Sequence, residues 1–137
     1  MQLSDIPAII LVDDDEIIRL VTTSLLKKLG YKGLVYDFSD GKKLLDFLAS
    51  FLEVLEETDE PYLIFLDLNM PHVDGWVFLD KFKEFPIHQR KRFRISILTS
   101  SFSNKDKSKA LSYDMVDYYV VKPLDREKLL QILSEIK

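Results

Sequence analysis

Four short apolar runs in this chain each end in a residue that could do chemistry. Ala8-Ile9-Ile10-Leu11-Val12 runs into Asp13-Asp14-Asp15, and Tyr62-Leu63-Ile64-Phe65-Leu66 into Asp67. Ile95-Ser96-Ile97-Leu98 runs into Thr99-Ser100-Ser101, and Tyr118-Tyr119-Val120-Val121 into Lys122-Pro123. If the fold gathers these ends, Asp13, Asp14, Asp67, Thr99 and Lys122 share one site. Carboxylates at such a site repel, each pair at ~4 Å costing about 4 kcal/mol at an effective dielectric of ~20. Lys122 would offset one charge and a divalent cation two more. An oxygen-only ligand set without histidine or thiolate favours Mg²⁺, with Mn²⁺ as a substitute. Mg²⁺ keeps several waters and leaves a position for a phosphoryl oxygen. A carboxylate beside such a cation and a lysine can attack phosphorus and form an acyl phosphate. The Thr99 hydroxyl could then bind one phosphoryl oxygen.

Each fragment also has a plainer reading. Aspartates after a strand often cap the next helix through its first-turn N–H groups. Asp15 and Glu16 are assigned to that role, outside the site. Asp67 is harder to explain structurally, because a charge directly after Leu63-Ile64-Phe65-Leu66 sits where desolvation is costly. Thr99-Ser100 alone could be a turn, and Lys122-Pro123 alone says little. The specificity lies in four strand ends agreeing.

The elements that must position these residues follow from periodicity. The apolar runs are short, continuous and rich in β-branched residues, as in strands buried on both faces. Gly33-Leu34-Val35-Tyr36 reads as a further, weaker strand. Ile17, Ile18, Val21, Leu25 and Leu29 recur at helical spacing and stop at Gly30. A long amphipathic helix is predicted from Lys42 to about Glu57, carrying Leu44, Leu45, Leu48, Phe51, Leu52 and Leu55. Pro61 breaks it. A third helix is marked by Phe78, Leu79 and Phe82 and closed by Pro86, with Trp76 half-buried at its start. A short helix is expected around Lys105–Ser112, and a last one from about Arg126 to Ile136 with Leu129, Leu130, Leu133 and Ile136 on one face. Phe47, Phe51, Phe78 and Phe82 are expected in the core. Five strands alternating with five helices predict an α/β fold with a doubly wound parallel sheet. In such sheets the ligand site lies beyond the carboxyl ends of the strands.

Composition narrows the function classes. The 137 residues suit one domain spanning 1–137, with no separate output domain expected. There are no cysteines, so disulfides, thiolate metal sites and cysteine nucleophiles are excluded. His72 and His88 alone cannot build a three-histidine metal site within one chain. A net charge of −4 argues against direct nucleic-acid binding. No apolar run approaches the ~20 residues that span a bilayer, and Met1-Gln2-Leu3-Ser4-Asp5 does not start like a secretion signal. No membrane insertion and a cytoplasmic location are therefore expected.

Taken together, these residues resemble the receiver domain of two-component response regulators. Ile10-Leu11-Val12-Asp13-Asp14 is similar to that family's acidic pair, and Leu66-Asp67-Leu68-Asn69-Met70-Pro71, continuing to Asp74-Gly75, to its phosphoacceptor loop. Thr99 matches its switch hydroxyl, Tyr119 its switch aromatic, and Lys122-Pro123 its lysine–proline pair. The resemblance covers nearly the whole chain. It implies a flavodoxin-like (βα)5 fold with strand order 2-1-3-4-5. It implies that Asp67 accepts a phosphoryl group from a phosphohistidine on a sensor histidine kinase or a histidine phosphotransfer protein. Asp14, Asp67 and the main-chain carbonyl of Asn69 would ligate Mg²⁺, and Asp13 would hold metal-bound water. Lys122 would pair with Asp67 and then with the phosphoryl group, its peptide to Pro123 being cis. Thr99 would move toward the phosphoryl group as Tyr119 turns inward. The face built from the helix after strand four, strand five and the last helix would then meet an unknown downstream protein, and dimerisation through it is left open. Such a switch is not an enzyme: it catalyses only its own phosphorylation and dephosphorylation.

An enzyme and a non-switching scaffold are the alternatives to a phosphoacceptor switch. A haloacid-dehalogenase-like phosphatase also uses an aspartate nucleophile with Mg²⁺, but needs a second aspartate two positions on, where this chain has Asn69. No GxxxxGK loop exists, which removes P-loop nucleotide hydrolases. A scaffold that keeps the fold without the chemistry ranks low, because all five side-chain types are present. The chain departs from the family's common pattern in places. Ser100 stands where alanine is usual, no glycine precedes strand five, and the exit of the second helix (Glu53-Val54-Leu55-Glu56-Glu57) is extended. The basic stretch from His88 to Arg94 is expected to be a solvated loop, with a docking patch as the alternative. His72, beside Asp67, is expected to be exposed.

Overall fold

The alternation of apolar runs and amphipathic stretches becomes a sheet with helices on both faces in a computed structural model that describes residues 1–54, 60–70 and 73–136. The strands are β1 (Ala8–Val12), β2 (Leu34–Phe38), β3 (Tyr62–Leu66), β4 (Phe93–Thr99) and β5 (Val116–Val121). The helices are α1 (Glu16–Lys28), α2 (Gly41–Val54), α3 (Gly75–Phe82), α4 (Ile87–Arg90), α5 (Asn104–Leu111) and α6 (Arg126–Glu135). All pairings are parallel, in the order β2-β1-β3-β4-β5. This is the flavodoxin-like order that the resemblance implies.

Strand side chains alternate between two layers. Ala8, Ile10, Val12, Ile64, Leu66, Ile95 and Ile97 pack with Leu44 and Leu48 of α2, Phe78 and Phe82 of α3 and Ala110 of α5. Ile9, Leu11, Leu63, Phe65, Leu98 and Val120 pack on the other face with Leu26 of α1 and Leu129, Ile132 and Leu133 of α6. Phe78 and Phe82 are fully buried, while Phe47 and Phe51 pack against the first layer from its edge. Among the described residues no helix is long and apolar enough to cross a membrane.

Several boundaries differ from those predicted. β2 starts at Leu34 and reaches Phe38, β4 takes in Thr99, and β5 begins at Val116. The buried face of α1 is centred on Thr22 and Leu26, while Ile17 and Val21 are 69% and 54% exposed. In α6, Leu130 is likewise exposed, and Ile132 takes the inward position. Leu55, Glu56, Glu57, Pro71 and His72 lie outside the described residues, as does the side chain of Leu52.

The basic stretch is not a solvated loop. It forms α4 and the start of β4, and two of its arginines are used inside the fold. Arg90 Nε donates to the Phe85 carbonyl at 2.9 Å. The Arg94 guanidinium makes a two-pronged ion pair with Asp117, whose side chain is fully buried, and donates to the Asp114 carbonyl at 2.7 Å. The planar fork of arginine suits this bidentate geometry.

Two glycines are required by geometry. Gly30 ends α1 with φ +92°, a left-handed conformation that costs a side chain strain. A Cβ on Gly75 would lie 2.5 Å from the Asp67 carbonyl oxygen and 2.8 Å from Leu68 Cα. The start of α3 is thereby pressed against the loop that follows β3.

Arg94→Leu leaves the Asp117 carboxylate buried without its partner. The expected cost is about 3 kcal/mol of unfolding free energy. Urea denaturation should show a lowered midpoint with an unchanged slope.

Candidate functional site

The parallel register fixes where the first two carboxylates meet. Val12 pairs with Leu66 at the end of β1 and β3. Asp13 and Asp67 are the next residue on each strand. The Asp67 N–H still donates to the Val12 carbonyl at 2.9 Å, and the Asp13 N–H to the Phe38 carbonyl at 3.0 Å. Neighbouring strands lie ~4.8 Å apart, so the two side chains emerge side by side. They are 4% and 3% exposed, respectively. Asp14 follows on the exposed side of the same turn, and Asp13, Asp14 and Asp67 each offer an oxygen within 4.8 Å of the others.

Lys122 reaches the pair from the end of β5. Its N–H donates to the Thr99 carbonyl at 2.7 Å, which continues the β4–β5 ladder by one step. Its ammonium lies 2.6 Å from Asp13 Oδ2 and 3.4 Å from Asp67 Oδ2. Asp13 is thus the nearer of its two carboxylate partners. The Lys122–Pro123 peptide is cis. The second oxygen of Asp13 accepts the Asp15 N–H at 2.9 Å, and that of Asp67 the Asn69 N–H at 3.4 Å.

Burial, and then the charge of Asp13, push the Asp67 carboxyl above its ordinary pKa; Lys122 and the Asn69 N–H pull it down and lose. For Lys122, burial acts to lower its pKa, but the close contact with Asp13 and the charges of Asp67 and Asp13 outweigh it and leave it raised. Three carboxylates against one ammonium leave a surplus of two negative charges at a nearly dry edge. Asp13 Oδ2 is buried without a well-aligned hydrogen bond, the Lys122 contact being an ion pair. An oxygen-seeking divalent cation fits this donor set.

The hydroxyl residues sit on the β4–β5 side. Thr99 is fully buried, and its hydroxyl accepts the Ser101 N–H at 3.3 Å. Tyr119 is buried, and its hydroxyl donates to the Ser101 carbonyl at 3.1 Å. Ser101 Oγ donates to Asp106 of α5 at 2.8 Å, so one residue joins both predicted switch residues to the first turn of α5. Ser100 and Asn69 are exposed. Asp15 and Asp74 cap α1 and α3, as expected for Asp15.

Arg19 escaped the sequence reading. Its guanidinium donates to the Asp13 carbonyl at 2.5 Å and to Asp37 at 3.2 Å, pinning the acidic turn to β2. A side chain that acts on a main-chain carbonyl leaves no spacing motif to find. Trp76 is half-buried, as expected, with the Lys109 ammonium 4.3 Å from its ring centre.

Because the folded-state pKa of Asp67 is raised, the folded protein binds its proton more readily than the unfolded chain, and ionised Asp67 opposes folding. Asp67→Asn should therefore stabilise the metal-free protein at pH 7 by about 1 kcal/mol. The gain should shrink as pH falls through the raised pKa, which urea denaturation across a pH series would show.

Comparison with known proteins agrees with this geometry. Residues 9–134 match the response regulator receiver domain family. The chain is 32% identical over 129 residues to the "Probable methanogenesis regulatory protein FilR2" of Methanothrix harundinacea, covering 94% of this chain and 80% of that protein. It is 32% identical to the "Hybrid signal transduction histidine kinase F" of Dictyostelium discoideum, where the match spans only 11% of the relative's length. A two-component response regulator from Cytophaga hutchinsonii superposes with a TM-score of 0.82 at 28% identity, over 95% of this chain and 96% of that one. Chemotaxis response regulator CheY4 of Vibrio cholerae gives 0.70 at 26% identity, over 94% and 97%. With a family match across nearly its whole length and three aspartates clustered at the sheet's carboxyl edge, the chain belongs to the receiver domains of two-component response regulators.

Proposed function

We propose that the chain is a phosphoacceptor switch in which Asp67 takes a phosphoryl group from a phosphohistidine. The observation that carries this reading is a buried Asp67 carboxylate with the Lys122 ammonium 3.4 Å away and Asp13 and Asp14 oxygens within 4.8 Å. In the transfer, an Asp67 oxygen bonds to phosphorus as the bond from phosphorus to the imidazole nitrogen of the donor breaks. The electron pair of that bond leaves with the imidazole, and the product is an acyl phosphate on Asp67. Asp14, Asp67 and the Asn69 carbonyl would hold Mg²⁺ or Mn²⁺, with Asp13 holding a water on it. The bound cation would supply charge neutralisation on the phosphoryl oxygens.

Lys122 swings from the carboxylates to a phosphoryl oxygen, and burial of the site strengthens that contact. Thr99 exchanges its Ser101 N–H partner for a phosphoryl oxygen, donating its hydroxyl proton. The loop after β4 follows. Contacts that exist in only one arrangement shift the population toward it, and the output passes to the α5–β5–α6 face. The donor is a sensor histidine kinase or a histidine phosphotransfer protein. A downstream protein, or a second copy of the chain, reads that face. The switch acts in the cytoplasm, and the 137 residues work as one receiver domain.

Incubation with acetyl phosphate should add one phosphoryl group, read by intact mass. The gain should require Mg²⁺, vanish in Asp67→Ala and be reversed by hydroxylamine. Unlabelled wild-type protein under conditions that label another receiver would overturn the reading. Thr99→Ala should still take up the phosphoryl group but lose the accompanying change in amide exchange across α5, β5 and α6; an unchanged exchange response would remove Thr99 from the switch.

A further inference from the structure

Lys128 lies in the first turn of α6, where its own N–H donates to the capping carboxylate of Asp125 at 2.8 Å. A cation there is disfavoured by the helix dipole, whose positive end is at the N-terminus. The side chain does not extend into solvent to relieve this. Its ammonium turns back and donates to the carbonyls of Val121 and Pro123, each at 2.9 Å. Those two carbonyls stand on either side of Lys122. Hydrogen bonds from a charged donor are roughly twice as strong as neutral ones.

The backbone of Lys122 is thus held from two directions. β4 holds it through the Lys122 N–H on the Thr99 carbonyl at 2.7 Å, and α6 holds it through Lys128. The held residue needs this, because a lysine is a point charge on a flexible four-carbon stem. Its ammonium can stay between Asp13 and Asp67 only if the stem starts from a fixed place.

We propose that Lys128 is a positioning residue for phosphoryl transfer: by bridging the Val121 and Pro123 carbonyls it fixes the backbone from which Lys122 reaches Asp67. The proposal rests on the phosphoacceptor reading above and adds a residue of α6 that touches neither the metal nor the phosphoryl group. It predicts a selective defect, in which the metal ligands keep their geometry while Lys122 loses its own.

The test compares wild type, Lys128→Met, Lys128→Arg and the neighbouring control Glu127→Gln. The rate of phosphoryl uptake from acetyl phosphate at saturating Mg²⁺ is measured for each, with Mg²⁺ affinity by calorimetry and amide exchange at Lys122 in metal-free protein. Lys128→Met should slow uptake about tenfold, as expected for misplacement of a group by a fraction of an ångström. Its Mg²⁺ affinity should stay within about twofold of wild type, since uptake and metal binding are separable effects. Exchange at Lys122 should quicken. Lys128→Arg, which keeps a charged donor, should recover most of the rate and the protection, and Glu127→Gln should match wild type. A wild-type rate in Lys128→Met, an equal loss in Lys128→Arg, or a Mg²⁺ affinity that falls in step with the rate would overturn the proposal. If wild type itself takes up no phosphoryl group, the phosphoacceptor reading falls and this inference with it. A labelled wild type with an equally fast Lys128→Met overturns the inference alone.

Discussion

Electrostatic repulsion among three aspartates is the constraint on which the rest of the structure depends. Asp13, Asp14 and Asp67 are held with oxygens within 4.8 Å of one another, and one ammonium stands among them. Left to themselves, these groups would separate. The two buried ones stay because their backbones are held by the sheet. Asp13 and Asp67 follow adjacent strands whose ladder continues through their own N–H groups, and Arg19 ties the acidic turn to β2. Close packing of Gly75 against the Asp67 carbonyl joins the start of α3 to the turn that carries Asp67. A bound divalent cation would recover the stability spent holding like charges together, which is the usual relation between a binding site and the fold that supports it.

Much of this was legible in the sequence. Strands buried on both faces must be continuous apolar runs, so β1, β3 and the core of β4 announced themselves, and the residue types at their ends pointed to the site. Helix faces were less legible. α1 carries apolar residues around much of its circumference, and Ile17 and Val21 share the same four-residue spacing as Thr22 and Leu26. Periodicity gives a stripe but does not choose between two stripes about 100° apart, and a buried threonine hides the true one. The four residues of α4 are too few to show any period. The charge run from His88 to Arg94 looked solvated because ion pairs such as Arg94–Asp117 join residues 23 apart in sequence. Arg19, Ser101 and Lys128 act on or through main-chain groups, which carry no side-chain identity to read.

The site is connected to its surroundings through specific bonds. On the α3 side, Asp80 accepts the Tyr113 hydroxyl at 2.6 Å and Lys109 lies over Trp76. Burial and the neighbouring Asp80 push the Tyr113 phenol up to about 12, so it remains a donor at any ordinary pH. These contacts tie the helix following the loop after β3 to α5 and to the turn after it. On the α6 side, Tyr118 donates to Gln131 at 2.6 Å, and Lys128 grips the turn that carries Lys122. α5 and α6 are therefore each bonded both to the site's supporting loops and to the face between them.

Ser101 gives this arrangement its mechanical character. Its N–H is taken by Thr99, its carbonyl by Tyr119 and its hydroxyl by Asp106. Three structural elements thus converge on a single residue, and displacement of that residue is felt by all three. If the proposed switch runs through Ser101, the coupling free energy between its two ends is the same in both directions. A protein that grips α5 and favours one placement of Ser101 would then alter the occupancy of the aspartate pocket by the same factor by which occupancy alters its grip. A receiver built this way would be as much a sensor of its target as the target is a sensor of the receiver.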